Sequence, residues 1–412
     1  MRIAIYDNLA NNAYIQAKGF HRQGHPVDLI LDPRDTFVMS DPRWEDLDIE
    51  LPTDRLDASV LPDAPMPDWV RTETGGPGTG GKKLWGARKV PGVAGPLARA
   101  VRVGGLHAGP MTVDRSWVIK TLREYDVVIA YGFGPVFAAL AGVPCVADTW
   151  GGDIAVVPYA DETPLRRAEA RLQRWGYSRC RRILLTDPRF YPHARDIGVE
   201  HLCEFIPFLV DTEKYSPGED AELRERFLPG GEGRLVFVPS RQDWHWKGSD
   251  KMLRGFAAAA RERPDVRLVC AGWGVDIDRS RALAEELGVT AQIEFLPYAV
   301  SKTRLLRYLR AADVVMDQFT VGSYGTSALE AMSVGKPLLI WLEQERFEKV
   351  FEEFPPVANV REHGEIGDAL TLLLDDPGER GRLGDRARDW IIRHQGDVLV
   401  EPTLEACRAA LR

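Results

Sequence analysis

Residues 322–337 read GSYGTSALEAMSVGKP. Gly322, Ser323, Tyr324, Gly325, Thr326 and Ser327 crowd in front of a short apolar helix pattern, and Glu330 falls about one turn in, among Ala, Leu and Met. Backbone amides at such a helix start present the positive end of a dipole to an anion. The glycines let a ligand come close to the backbone, and Thr326 or Ser327 is a good N-cap. Glu330 could accept hydrogen bonds from vicinal hydroxyls such as those of a ribose. The spacing of Ser327 and Glu330 also fits a capping box, and the residue types leave both readings open.

A second stretch, SRQDWHWKG at 240–248, follows an apolar strand pattern and precedes a helix pattern. Arg241 leaves the strand end and Lys247 sits just before the helix. Two cations flanking such a turn can clamp a phosphate or diphosphate; the alternative is a pair of solvated side chains. A third stretch, VADTWGGD at 146–153, ends a strand pattern in the first half. Asp148, Thr149 and Asp153 could contact hydroxyls there, beside Gly151, and Trp150 could stack on a sugar. The alternative is an ordinary turn capped by Asp153. In the fourth, DNLANN at 7–12, Asn8, Asn11 and Asn12 either cap a helix or line an acceptor site. Gly272 and Gly274 follow a strand but lack the third glycine of a dinucleotide fingerprint. Neither a Walker motif nor a Ser–His–Asp nucleophile motif occurs. The five cysteines, 145, 180, 203, 270 and 407, are scattered without metal-ligand spacing, so they read as reduced thiols in a cytoplasmic protein, with no metal site.

These stretches need elements to hold them. Apolar runs at 2–6, 26–31, 126–131, 143–147 and 182–186 alternate with helix patterns at 12–22, 117–124, 134–141 and 165–175. The second half repeats the scheme. Its strand patterns fall at 234–239, 266–271, 292–296, 313–316 and 337–342, with helices at 249–263, 279–287, 302–311 and 327–334. Strands apolar throughout and separated by helices imply parallel sheets covered on both faces. The fold class is therefore α/β, with two Rossmann-like domains facing across a cleft and ligands outside the carboxyl ends of the strands. At 412 residues two domains are the natural expectation. The seam is placed within 206–217, which dates the first domain to 1–210 and the second to 211–390.

Composition narrows the partners. The chain is 44% hydrophobic and 28% charged with a net charge of −8, which argues against a dedicated nucleic-acid binder. No uninterrupted apolar run suggests a membrane span, and the N-terminus lacks a signal-peptide pattern. One insertion, at about 60–115, departs from the average. Residues 74–113 contain no Asp or Glu but carry Lys82, Lys83, Arg88, Lys89, Arg99 and Arg102, together with eleven glycines. It reads either as a solvated insertion or as a flexible basic lid or acceptor loop, which an anionic membrane surface would attract.

Taken together, Arg241 with Lys247, the run from Ala271 to Gly274, Phe295 to Pro297, Ala311 to Val315 and the stretch 325–337 resemble retaining glycosyltransferases of family 4. Residues 206–217 resemble that family's interdomain segment, and the first half matches more loosely. The resemblance implies a GT-B fold and a nucleotide-diphosphate sugar as donor substrate, with no cofactor and no required metal. It implies that Arg241 and Lys247 bind the donor diphosphate and act in catalysis, helped by the amides around Thr326 and Ser327. Glu330 would hold the ribose hydroxyls, and 391–412 would cross back to the first domain. The acceptor stays unidentified. A nucleotide-sugar 2-epimerase and a non-catalytic nucleotide-sugar-binding protein remain as alternatives.

The chain departs from the family at two places. Eight positions before Glu330 the family carries a carboxylate near the donor sugar; here Gly322 stands there. The acidic contact to the donor sugar is then either absent or supplied from elsewhere, such as Asp317 or Ser323. Trp150 and Tyr131 stand where the family often has histidines, so an altered sugar pocket is expected.

Overall fold

The computed structural model describes residues 1–32, 35, 37–53, 56–72 and 115–412. The basic, glycine-rich stretch 74–113 lies outside the described residues. The chain divides into two compact units. One comprises Met1–Thr36, Pro65–Pro207 and Leu399–Arg412; the other comprises Phe37–Ala64 and Phe208–Val398.

The first unit is built on a seven-stranded parallel sheet. From one edge its strands run Val70–Arg71, Val27–Ile30, Ile3–Tyr6, Val127–Ala130, Cys145–Asp148, Arg182–Leu185 and Cys203–Phe205. The central strands are buried at every position because helices cover both faces, which explains their unbroken apolar sequence. The strand order reverses between Ile3–Tyr6 and Val127–Ala130, paired in register from Ile3 with Val127. Helix Asn12–Arg22 follows the first strand, and helix Val400–Ala410 packs on this sheet as part of the same unit. Cys145 and Cys180 are buried free thiols with their sulfurs 3.7 Å apart.

The second unit carries a six-stranded parallel sheet in the order Ile293–Leu296, Val266–Ala271, Arg234–Val238, Val314–Met316, Leu338–Ile340 and Ala358–Asn359. Here the reversal falls between Arg234–Val238 and Val314–Met316, which pair directly. Ligands in open parallel sheets bind at such a switch point, outside the carboxyl ends of the strands. Helices Ser249–Ala260 and His363–Asp375 approach so closely that a Cβ on Gly255 would lie 2.5 Å from Ile366 Cγ2.

Phe37–Ala64 shows no sustained periodicity in sequence, yet it folds onto the second unit. Helix Pro42–Asp46 and strand Glu50–Pro52 carry it, and the strand pairs antiparallel with Tyr298–Val300. Val38, Trp44, Ala58 and Leu61 form a small core there with Ala299. Trp44 is fully enclosed, which anchors the excursion despite its scant secondary structure. Among the described residues, no helix is long and apolar enough to cross a membrane.

Candidate functional site

In the second unit, the loops after Arg234–Val238 and Val314–Met316 meet at the switch point. Lys247 Nζ donates to Gln318 Oε1 at 2.7 Å, and the Gln318 amide nitrogen donates to the Ser323 carbonyl. The Phe319 amide donates to the Lys247 carbonyl at 2.8 Å. Gly248 makes this approach possible: its φ is +68°, and a Cβ there would lie 2.6 Å from Thr320 Oγ1. Lys247 is thus held at its tip while its ammonium keeps donors to spare.

Arg241 is anchored on the same loop. Its Nε and one terminal nitrogen donate to Asp243 Oδ2 at 3.2 and 3.0 Å. Asp243 is buried and also accepts the Trp246 amide. The Arg241 side chain stays 38% exposed. Gly272 and Gly274 support this loop from behind. A Cβ on Gly272 would sit 1.9 Å from the Leu296 carbonyl oxygen, and one on Gly274 2.2 Å from that of Gln242. The Gln242 amide donates to the Trp273 carbonyl at 2.8 Å. Backbone crowding alone requires glycine at both positions.

Helix Thr326–Ser333 begins at the same edge. Gly325 is its N-cap, in extended backbone and without a side-chain cap. The expectation of a Thr326 or Ser327 cap is therefore corrected: the helix starts one residue early, and both hydroxyl residues are already inside it. Gly325, Thr326 and Ser327 are half-buried, so the helix start, whose first amides have no partner within a helix, is partly exposed. The capping box is also absent. Glu330 is 2% exposed, and its Oε1 accepts from Lys302 Nζ at 2.5 Å. Burial raises the Glu330 carboxyl above its ordinary value; Lys302 opposes that rise and Glu45 adds to it. Glu330 Oε2 is buried and has no hydrogen-bond partner.

The other members of this stretch divide by role. Ser323 is buried beneath the loop. Tyr324 is turned into the core, where its hydroxyl accepts from Gln395 at 2.8 Å and its ring meets Phe347 edge-on. Gly322 has a φ of +75°, and a Cβ on it would lie 3.0 Å from Trp341 Cζ3. Asp317 is buried with both carboxylate oxygens lacking a partner.

In the first unit, three loops converge at the carboxyl ends of the strands. Asp7, Ala10 and Asn11 have positive φ values of 74°, 50° and 61°, and no other described non-glycine residue does. Strained backbone of this kind is characteristic of functional loops. Asn8 Nδ2 donates to Asn11 Oδ1, and Asn8 Oδ1 accepts the Tyr14 amide, so the pair holds the loop to its helix. Asn12 Oδ1 is buried without a partner. Gly132, with φ +54°, is wedged between Asp7 and Trp150: a Cβ there would be 2.9 Å from Asp7 Oδ2 and 3.1 Å from Trp150 Cζ2. Trp150 is half-buried and tilts against Tyr131.

Asp153 acts within its own turn. Its Oδ1 accepts the amides of Trp150, Gly151 and Ile154, and its Oδ2 accepts the Tyr177 hydroxyl at 3.0 Å. Gly151 takes the φ of 134° that this turn requires. Asp148 accepts from Gln16 and from the Tyr131 hydroxyl, both at 2.9 Å. Burial dominates both carboxyls, raising Asp148 to about 7 and Asp153 to about 6 against the hydrogen bonds that lower them. Asp7 is also raised by burial to about 7, although the Asn8 amide stabilises its charge.

Lys302 and Glu45 were not singled out in sequence. The available signal for Lys302 was its place on the apolar stripe of its helix, with Leu305, Leu306 and Leu309 at helical spacing. Among the described residues, no group of three His, Cys, Asp or Glu could hold a metal ion.

Residues 219–390 match the family model described as Glycosyl transferases group 1. The chain is 31% identical over 218 residues to a D-inositol 3-phosphate glycosyltransferase of Nocardia farcinica, an alignment covering 50% of this chain and 48% of that protein. It is 32% identical over 211 residues to the protein of that name from Mycobacterium bovis, covering 49% and 42%. The matches thus span about half the length of these relatives or less. Among solved structures, Anabaena HepE in complex with UDP and glucose aligns with a TM-score of 0.65 at 15% identity, covering 98% of each chain. Sucrose-phosphate synthase of Thermosynechococcus elongatus aligns with a TM-score of 0.63 at 16% identity, covering 99% of this chain and 98% of that one. At these identities the likeness shows the fold, and the chain has the GT-B fold.

Proposed function

We propose that the protein is a glycosyltransferase that takes a nucleotide-diphosphate sugar in its second unit and moves the sugar to an acceptor hydroxyl. The observation that carries this reading is the Lys247–Gln318 tether beside the open start of helix Thr326–Ser333. It ties a cation to the loop that leads into the helix, and a cation together with helix amides suits an anionic diphosphate. The HepE structure contains UDP and glucose, and residues 219–390 match the group 1 transferase model, which supports a nucleotide-sugar donor.

In this reading Arg241, Lys247 and the amides at Thr326 and Ser327 bind the diphosphate. As the bond between the sugar and the diphosphate breaks, charge grows on the leaving oxygen, and fixed cations and dipoles stabilise it there. Glu330 accepts hydrogen bonds from the ribose through its unpartnered Oε2. The reaction is proposed to retain configuration and to need no metal, with the leaving phosphate taking the acceptor's proton. The first unit, through Trp150 and the loop 7–12, is proposed to receive the acceptor.

Incubation of the pure protein with a panel of nucleotide sugars tests this. Release of the free nucleoside diphosphate and of the sugar, or its transfer, is the expected result. Conversion to an epimer, or tight binding without turnover, would replace the proposal with one of the other two activities.

A further inference from the structure

Glu330 does not stand alone. Behind it lies a second buried carboxylate, Glu45, contributed by the excursion Phe37–Ala64 and fully enclosed. Glu45 Oε1 accepts from Lys214 Nζ at 2.6 Å and from the Tyr215 hydroxyl at 3.3 Å. Lys302 Nζ, besides its bond to Glu330, lies 3.4 Å from Thr326 Oγ1, at the helix start. One oxygen of each carboxylate is engaged by a lysine; the other, Oε2 in both, is buried and has no partner.

The excursion fixes where Lys302 stands. Ser301, the N-cap of helix Lys302–Ala311, donates its hydroxyl to the Leu47 carbonyl at 2.6 Å and accepts the Ile49 amide at 3.1 Å. Thr303 donates to the Glu45 carbonyl at 3.0 Å, and Arg304 pairs with Asp48 at 2.7 Å. The residues on either side of Lys302 are therefore tied to 45–49, which sets Lys302 beside Glu330.

Resting on the nucleotide-binding reading above, we infer that Lys302 is a positioning residue of the nucleotide site: it holds Glu330 ionised and turned so that Oε2 accepts a ribose hydroxyl, and Glu45 with Lys214 sets the charge balance behind it. A buried carboxylate with one oxygen fixed and one free is suited to a hydroxyl donor. An unpartnered buried oxygen is costly unless a ligand satisfies it. The charged or titratable groups that act on Glu330 are Lys302, Glu45, Lys214 and Tyr215.

The signs follow from the charges. Nucleotide affinity should fall as pH drops through the raised Glu330 titration. Lys302→Met removes the cation that opposes the rise, so the acid limb should move to higher pH. Glu45→Gln removes a negative neighbour and frees Lys214, so the limb should move to lower pH.

The test is calorimetric binding of UDP, ADP and GDP, and of the 2′-deoxy form of the tightest binder, from about pH 5 to about pH 9. The wild-type protein should prefer the ribonucleotide by about tenfold or more. Lys302→Met should reduce that preference to roughly threefold or less and shift the limb upward, and Lys302→Arg should restore much of both. Thermal unfolding identifies any variant that fails to fold, and Glu45→Gln then supplies the oppositely signed shift independently. Limbs that stay in place, or move the same way in Lys302→Met and Glu45→Gln, overturn the inference. A wild-type protein that binds none of the diphosphates overturns the donor reading itself, and this inference with it.

Discussion

The α-carbon of Gly322 faces the indole of Trp341 at close range, since a Cβ would lie 3.0 Å from Cζ3 and 3.1 Å from Cη2, tighter than ordinary contact. The glycine also takes a φ of +75°, which L side chains rarely adopt. Where the family resemblance leads one to expect a carboxylate, this chain has a glycine packed against an aromatic ring. Replacing Gly322 with Glu should not recreate a family-like pocket. Gly322→Glu and Gly322→Ala should each lose about 1–3 kcal/mol of stability in denaturant titrations. Gly322→Ala combined with Trp341→Ala should recover the part due to the ring. Unchanged stability of Gly322→Ala would show that the loop has another conformation open to it.

Gln318 holds Lys247 by one side-chain bond and the Ser323 carbonyl by the other. Gln318→Ala should loosen the cation without removing its charge. Nucleoside-diphosphate affinity should fall by ~1 kcal/mol, roughly fivefold. In Lys247→Ala the same change should have little further effect, because the two residues act as one unit. Additive losses in the double variant would separate Gln318 from Lys247.

Asp7, Asp148 and Asp153 bear on stability in the first unit. All three have folded-state values raised above the unfolded carboxylate, to about 7, about 7 and about 6. The folded form thus holds more protons than the unfolded one between roughly pH 4 and pH 7. Their contribution is fully present below the unfolded value and is lost as pH rises through the folded values. Asp148→Asn should flatten this dependence and raise the melting temperature near pH 8, since the amide carries no buried charge. An unchanged slope of melting temperature against pH would refute the assignment for Asp148.

Much of the scaffold was legible because parallel strands buried on both faces have an unmistakable composition. Helix Lys302–Ala311 and strand Val266–Ala271 coincide with their sequence patterns to the residue. The helix start at 325–327, to within one residue, and the carboxylate at 330 were legible from residue type alone. Their partners were not. Lys302 and Glu330 are brought together by tertiary packing between two helices, and no local rule pairs them. Glu45 was hidden for a stronger reason. Its segment has short elements, and its attachment depends on the buried Trp44 and on antiparallel pairing with Tyr298–Val300. The sequence pattern for a capping box at Ser327 and Glu330 was sound, but a buried lysine offered the carboxylate a stronger partner than a backbone amide.

The role of Lys247 at a diphosphate site is tested most directly by the affinity of the protein for nucleoside diphosphates, measured by calorimetry on the wild type and on Lys247→Ala with matched thermal stability. The wild type should bind, and the variant should lose roughly 1.5–3 kcal/mol, about tenfold to a hundredfold. Equal affinity in the two proteins, or no binding by the wild type, would contradict that role.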